Sequence, residues 1–258
     1  MSTDNKKKKI RFTKTNFITI LLIIALAFLA VAEYAIIHRD EIYKQIAGEM
    51  VGSVTSTSSF ESSLPLELTT IGSKQYLVDK SHRLDSSYVP ENLTTPYLNS
   101  STDVIQLEEE CGNQAKAMKD AASNEGIALI VSAGYVSYKE QDELYKSTVS
   151  LVGETQASTT IPEAGCSENQ LGLAIDFTSD ASQASPTLDF ANSDAYAWLV
   201  QHAHEYGFIL RYPEGKESIT GYSYMPWHYR YVGVDVATAI YEKGADYTFE
   251  EYFNLVKE

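Results

Sequence analysis

The chain has only two cysteines, Cys111 and Cys166, too few for a disulfide-built scaffold or a four-thiolate zinc site. Basic side chains are scarce beyond the N-terminus. After Ala32 there are 14 lysines and arginines against 34 aspartates and glutamates, a net charge of −20. Such a surface repels a phosphate backbone, which excludes nucleic acid as a partner. No internal repeat divides the chain. A single long apolar run occurs, and no cysteine directly follows it to carry a lipid anchor. Against these absences, 44% apolar and 21% charged residues describe an ordinary globular core, not wholesale disorder or a collagen-like rod. A length of 258 residues accommodates one medium domain with accessories, or two small domains.

The apolar run begins at Phe17, and six cations (Lys6, Lys7, Lys8, Lys9, Arg11 and Lys14) precede it. A positive flank stays on the cytoplasmic side, so residues 1–16 read as a basic cytoplasmic tail and the rest of the chain as exported. Residues 17–37 have the length of a membrane-spanning anchor. Ala30-Val31-Ala32 also has the small-x-small form of a signal-peptidase site, so a cleaved leader is the second reading. Residues 38–72, with the Ser/Thr tract Ser53–Ser63, read as a linker, and residues 73–258 as the folded domain.

Within that domain, Asp103 is placed to cap a helix running to Asn124, whose residues Leu107, Cys111, Ala115, Met118 and Ala122 share one face. Further helices are expected over 137–150 and 192–206, the latter stopped by Gly207. Short strands are expected over 127–131, 171–177, 208–211 and 228–232. Thr248-x-x-Glu251 forms a capping box for a last helix. Helices mixed with short strands indicate an α+β class and not a doubly wound sheet.

Four segments, read together, resemble the VanY-like D-alanyl-D-alanine carboxypeptidases, zinc peptidases that trim bacterial cell-wall stem peptides. They are YLVDK…YVP (76–90), SAGYVSYKEQDELY (132–145), CSENQLGLAIDF (166–177) and the run from Trp198 to Gly233. The resemblance spans roughly residues 75 to 240 and implies the D,D-carboxypeptidase (hedgehog/D,D-peptidase-like) fold, a small central antiparallel sheet flanked by helices. It also implies a zinc motif Ser-x-His-x-x-Gly-x-Ala-x-Asp followed by Glu-x-Trp-His. Two imidazoles and a carboxylate hold the ion and leave one position for water. The Glu takes the water's proton, and an Arg in a Ser-Gly-Tyr-Arg-Ser segment binds negative charge on the substrate.

This chain keeps the frame of that motif and departs from its chemistry. Ser167, Gly172, Ala174, Asp176, Trp227 and His228 match, but Asn169 stands at the first His position, Met225 at the Glu position and Val136 at the Arg position. Asp176 and His228 are then remnant ligands and no cofactor is expected, zinc entering only if the ligands are rearranged. The resulting expectation is a catalytically inactive, extracytoplasmic relative that binds peptidoglycan stem peptide or an envelope protein. Two rivals stand beside it, an active metallo-carboxypeptidase with rearranged ligands and a purely structural or regulatory envelope module.

Tyr135, Ser137, Gln141, Ser167 and Trp227 are the candidates for touching a peptide, although Tyr135 and Trp227 also suit an ordinary core. Asp176 and His228 also suit a plain hydrogen-bonded polar pair. Cys111 and Cys166 could pair as a disulfide in an exported protein, and Cys166 could instead join Asp176 and His228 as a thiolate ligand. His202 and His204 sit two apart on a helix, hence on different faces, and read as surface or packing residues.

Overall fold

The computed structural model describes residues 64–101, 104–179 and 186–256. The basic tail, the apolar run, the linker as far as Ser63, and the expected cap Asp103 lie outside the described residues. Among the described residues, no helix is long and apolar enough to cross a membrane.

Seven strands are present: β1 (Leu93–Thr94), β2 (Asn99–Ser100), β3 (Leu107–Glu108), β4 (Ile130–Ala133), β5 (Ala174–Thr178), β6 (Phe208–Leu210) and β7 (His228–Tyr231). β1 and β3 pair as a two-stranded ribbon, and the other five form one sheet in the order β2-β4-β5-β7-β6. From β4 to β6 every pairing is antiparallel, as the resemblance implies. The edge strand β2 departs from that expectation, because it lies parallel to β4. Parallel neighbours need a crossover, and helix α1 (Glu109–Asn124) lies between them in the chain. The remaining helices are α2 (Tyr138–Val152), α3 (Glu154–Thr160), α4 (Asp194–His202) and α5 (Val234–Tyr241), with single turns at Leu66–Thr69, Glu217–Thr220 and Phe249–Tyr252.

Local chemistry sets the element ends. α1 starts later than the sequence suggests, because Glu108 serves as its cap: the carboxylate accepts from Glu110 N and Cys111 N at 3.0 and 3.1 Å. Leu107, expected on the helix face, is buried in β3 instead. Cys111, Ala115, Met118 and Ala122 do share the buried face of α1. They pack with Ile175 and Phe177 of β5, Tyr229 and Tyr231 of β7, and Trp198 and Leu199 of α4. The expected helix over 192–206 is α4 followed by a 3₁₀ turn, Ala203–Tyr206. The capping box at Thr248 and Glu251 is formed.

A second core cluster joins Leu68, Leu77, Val232, Ala237, Ile240 and Phe249. Leu68 is 2% exposed, so the folded body includes residues that the sequence assigns to a linker ending at residue 72. The sequence shows only a short apolar cluster there, and its packing partners lie at the far end of the chain.

Gly207 ends the 3₁₀ turn at φ +84°. A Cβ there would lie 2.6 Å from the Tyr231 ring and 3.0 Å from the backbone of Gly233 and Val234. Gly207→Ala is therefore expected to cost about 1–3 kcal/mol, read as a lower urea midpoint at unchanged m-value.

Candidate functional site

The site is assembled on the face of the sheet opposite the main core. Asp176 in β5 and His228 in β7 are direct cross-strand partners, and the Asp176 carboxylate lies 2.7 Å from His228 Nδ1. Alternation along β7 sends His228 and Arg230 to this face while Tyr229 and Tyr231 enter the core.

The segment before β5 supplies the rest. Glu168–Leu171 forms a buried 3₁₀ turn, ended by Gly172 at φ +69°. A Cβ on Gly172 would sit 3.0 Å from Glu108 N, whose N–H donates to Gly172 O at 2.9 Å. This close approach anchors the turn and fixes where its side chains point.

Glu168 enters a buried ionic network. Its Oε1 accepts from Arg211 Nε at 2.8 Å and lies 3.0 Å from Arg230 Nη1, while Oε2 is 3.4 Å from His228 Nε2. Arg211 also grips Glu250 with two hydrogen bonds of 2.9 and 2.7 Å. Burial alone would raise the Glu168 pKa, but Arg211, Arg230 and His228 outweigh it and hold the carboxyl well below its usual range. Burial would likewise lower His228, yet Asp176 and Glu168 overcome it and lift the imidazole to about 9. Both ring nitrogens of His228 therefore face carboxylates, and the ring carries its proton at neutral pH.

Asn169 uses both ends of its amide. Nδ2 donates to Gly134 O at 2.9 Å, and Oδ1 accepts the Ser167 hydroxyl at 3.2 Å. The backbone N–H of Val136 donates to Asn169 O at 3.3 Å, which joins the segment after β4 to the turn. Met225 is 5% exposed and packs with Tyr212, Tyr222 and Trp227.

These groups border a cleft of about 320 Å³. Ser167, Asn169, Asp176, Met225, Trp227 and His228 line it, as do Val136 and Gln141. Its far wall comes from Leu144 and Thr148 of α2, Thr160 at the end of α3, and Ile161 and Pro162 just beyond it, and Gln141 Nε2 donates to Pro162 O at 2.6 Å. One cleft thus brings together Asp176, His228 and the three replaced positions Val136, Asn169 and Met225.

Other expectations need correction. Tyr135 and Ser137 are not in the cleft lining. Ser137 instead caps α2 in a box with Glu140, and Tyr135 N bonds to Gln106 O. Cys111 and Cys166 are both buried, free thiols and form no disulfide. Cys111 belongs to the core under α1. Cys166 accepts from Arg83 Nε at 3.0 Å and lies outside the cleft lining, so it does not complete a set with Asp176 and His228. Among the described residues, no group of three or more His, Cys, Asp or Glu side chains is placed to hold a metal ion. His202 and His204 stack on Trp198 and Tyr241, away from the cleft.

Sequence reasoning missed Glu168. It occupies an unspecified position of the motif, and its meaning depends on two arginines far downstream. Buried arginines flanking the motif's histidine would have been the signal, since such cations need an anion nearby.

A family profile described as VanY, D-alanyl-D-alanine carboxypeptidase, matches residues 104–234. A Bacillus subtilis (strain 168) protein with the provisional name carboxypeptidase YodJ is 39% identical over 186 residues, 70% of this chain and 67% of that one. Matches to D-alanyl-D-alanine carboxypeptidases of Enterococcus faecalis and Enterococcus faecium span about half of those proteins, 52% and 46%. Among solved structures, the LdcB LD-carboxypeptidase, described as revealing the molecular basis of peptidoglycan recognition, superposes with a TM-score of 0.64 at 37% identity, covering 72% of this chain and 87% of that one. The vancomycin-resistance D,D-pentapeptidase VanY, solved with Zn(II), gives a TM-score of 0.58 at 32% identity over 69% of this chain and 97% of that one.

Proposed function

The chain belongs to the VanY family of D-alanyl-D-alanine carboxypeptidases, and from that premise we propose that its cleft is a receptor for peptidoglycan stem peptide that does not cut what it binds. The observation carrying this reading is the pair of side chains at the two decisive positions. Asn169 offers a neutral amide whose hydrogen bonds are already committed to Gly134 and Ser167. Met225 is a thioether packed among aromatic rings and has no group that accepts a proton from water.

The donor set does not fit a zinc ion. A catalytic zinc takes three protein ligands, typically imidazole or carboxylate, and an open position. Here Asp176 and His228 remain, both ring nitrogens of His228 are directed at carboxylates, and an amide is a poor third ligand. Reaching the stem peptide would follow from export. The N-terminal cations ahead of the apolar run orient the domain to the outer side of the membrane, tethered if the run is retained.

The test uses the full-length chain, equilibrated with zinc and dialysed. Metal analysis is expected to find well below one zinc per chain, and a D-alanine release assay on a stem pentapeptide is expected to stay at background. Turnover that a chelator abolishes would overturn the proposal. The retained Asp176–His228 pair favours the second reading, an active peptidase with rearranged ligands. In that case Asp176→Ala would abolish a measurable activity.

A further inference from the structure

We infer that the cleft selects peptides whose terminal carboxyl is masked as an amide, as in a crosslinked or amidated stem peptide, over peptides with a free carboxylate. This rests on the receptor reading above and adds the chemical class of the ligand. The argument concerns which charges can meet a guest. Among the described residues lining the cleft there is no lysine or arginine, and His228 is the only basic side chain. Both of its ring nitrogens are already directed at Asp176 and Glu168, so it has no N–H left for an incoming anion.

The nearby arginines are equally committed. Arg211 is 1% exposed and spent on Glu168 and Glu250. Arg230 is fully buried, beside Glu168 and donating to the carbonyls of Lys74, Tyr76 and Tyr231. A free carboxylate entering this space would lose water without gaining a partner, which is strongly unfavourable for an ion.

The cleft does present an acceptor. Asp176 lines it with a side chain 16% exposed. Its Oδ1 is bound to His228, while Oδ2 has no hydrogen-bond partner among the described residues. An amide N–H or an ammonium suits that oxygen, whereas a second carboxylate is repelled by it. The apolar part of the lining, Val136, Leu144, Ile161, Pro162 and Met225, favours apolar surface such as alanine methyl groups. The excess of acidic groups along the exported part of the chain, a net −20, lowers the encounter rate of anionic ligands in the same direction.

The experiment is isothermal titration calorimetry of the full-length chain with two probes, N-acetyl-D-Ala-D-Ala and its C-terminal amide. The amide is expected to bind about tenfold tighter or more, the scale of one unfavourable close charge contact at a partly buried site. Val136→Arg, which places a cation in the lining, is expected to erase or reverse that preference. Leu144→Lys, at an exposed position on the rim, repeats the test without disturbing the buried turn. Equal or tighter binding of the free acid by the native chain would overturn the inference while leaving the receptor reading intact. Binding of neither probe would remove both.

Discussion

Asn169→His, Met225→Glu and Val136→Arg, introduced together, are expected to bring zinc occupancy close to one per chain and to raise D-alanine release from background into the measurable range. The carboxylate base alone accounts for about 10²–10⁴-fold in such reactions, and it acts only when the ion is held. The three single variants are therefore expected to stay near background, because groups that work as a unit do not contribute additively. The backbone is prepared for the change. A histidine bound to a metal donates its other ring N–H to a carbonyl or carboxylate, and Gly134 O already receives the Asn169 amide at 2.9 Å. A glutamate at 225 would stand among Tyr212, Tyr222 and Trp227, where partial burial raises a carboxyl pKa toward the range useful for a base. Metal analysis and the release assay on the triple variant check this directly. Full zinc occupancy without turnover would mean that the groove had diverged beyond these positions.

The largest loss of stability is expected from Glu168→Gln. The substitution nearly preserves shape but removes the anion shared by Arg211, Arg230 and His228. Removing one partner from a buried ionic group typically costs about 3–5 kcal/mol, because the remaining charges stay buried without compensation. Urea unfolding with unchanged m-value would measure the cost. The native carboxyl is held below its ordinary pKa of 4.5. Its contribution is thus complete above the unfolded-state value, and it is lost as pH falls below about 4.5. The neutral amide of the variant has no such proton to take up, so the gap between native and variant stability should narrow on acidification through that range. A gap that stays constant with pH would place the effect in packing and not in charge.

Much of the site was legible because it depends on spacing. Asp176 and His228 fall in register once β5 and β7 are recognised as neighbours, and the motif fixes Asn169 between Ser167 and Gly172. The same holds for the capping box at Thr248, which is a local device. What escaped the sequence depends on distant partners. Glu168 looks like any surface glutamate until Arg211 and Arg230 are brought to it. Leu68 looks like part of a linker until Ile240 and Phe249 cover it. Ser137 and Tyr135 lie inside a segment that resembles a binding motif, yet one hydroxyl is consumed in capping α2 and the other residue is held by Gln106. A Cys111–Cys166 disulfide has only the compartment to recommend it in the sequence, whereas each cysteine is absorbed by its own surroundings.

The alternation of β7 constrains how this groove could change in descent. One face of the strand feeds a nest of ions and the other feeds a layer of aromatic rings. Deleting or inserting a single residue there would swap the two faces, thrusting tyrosines among carboxylates and a guanidinium into hydrocarbon. Point replacement is thus the open route for altering the groove's chemistry, and Val136, Asn169 and Met225 all lie outside β7, where a side chain can change while the strand's length stays fixed.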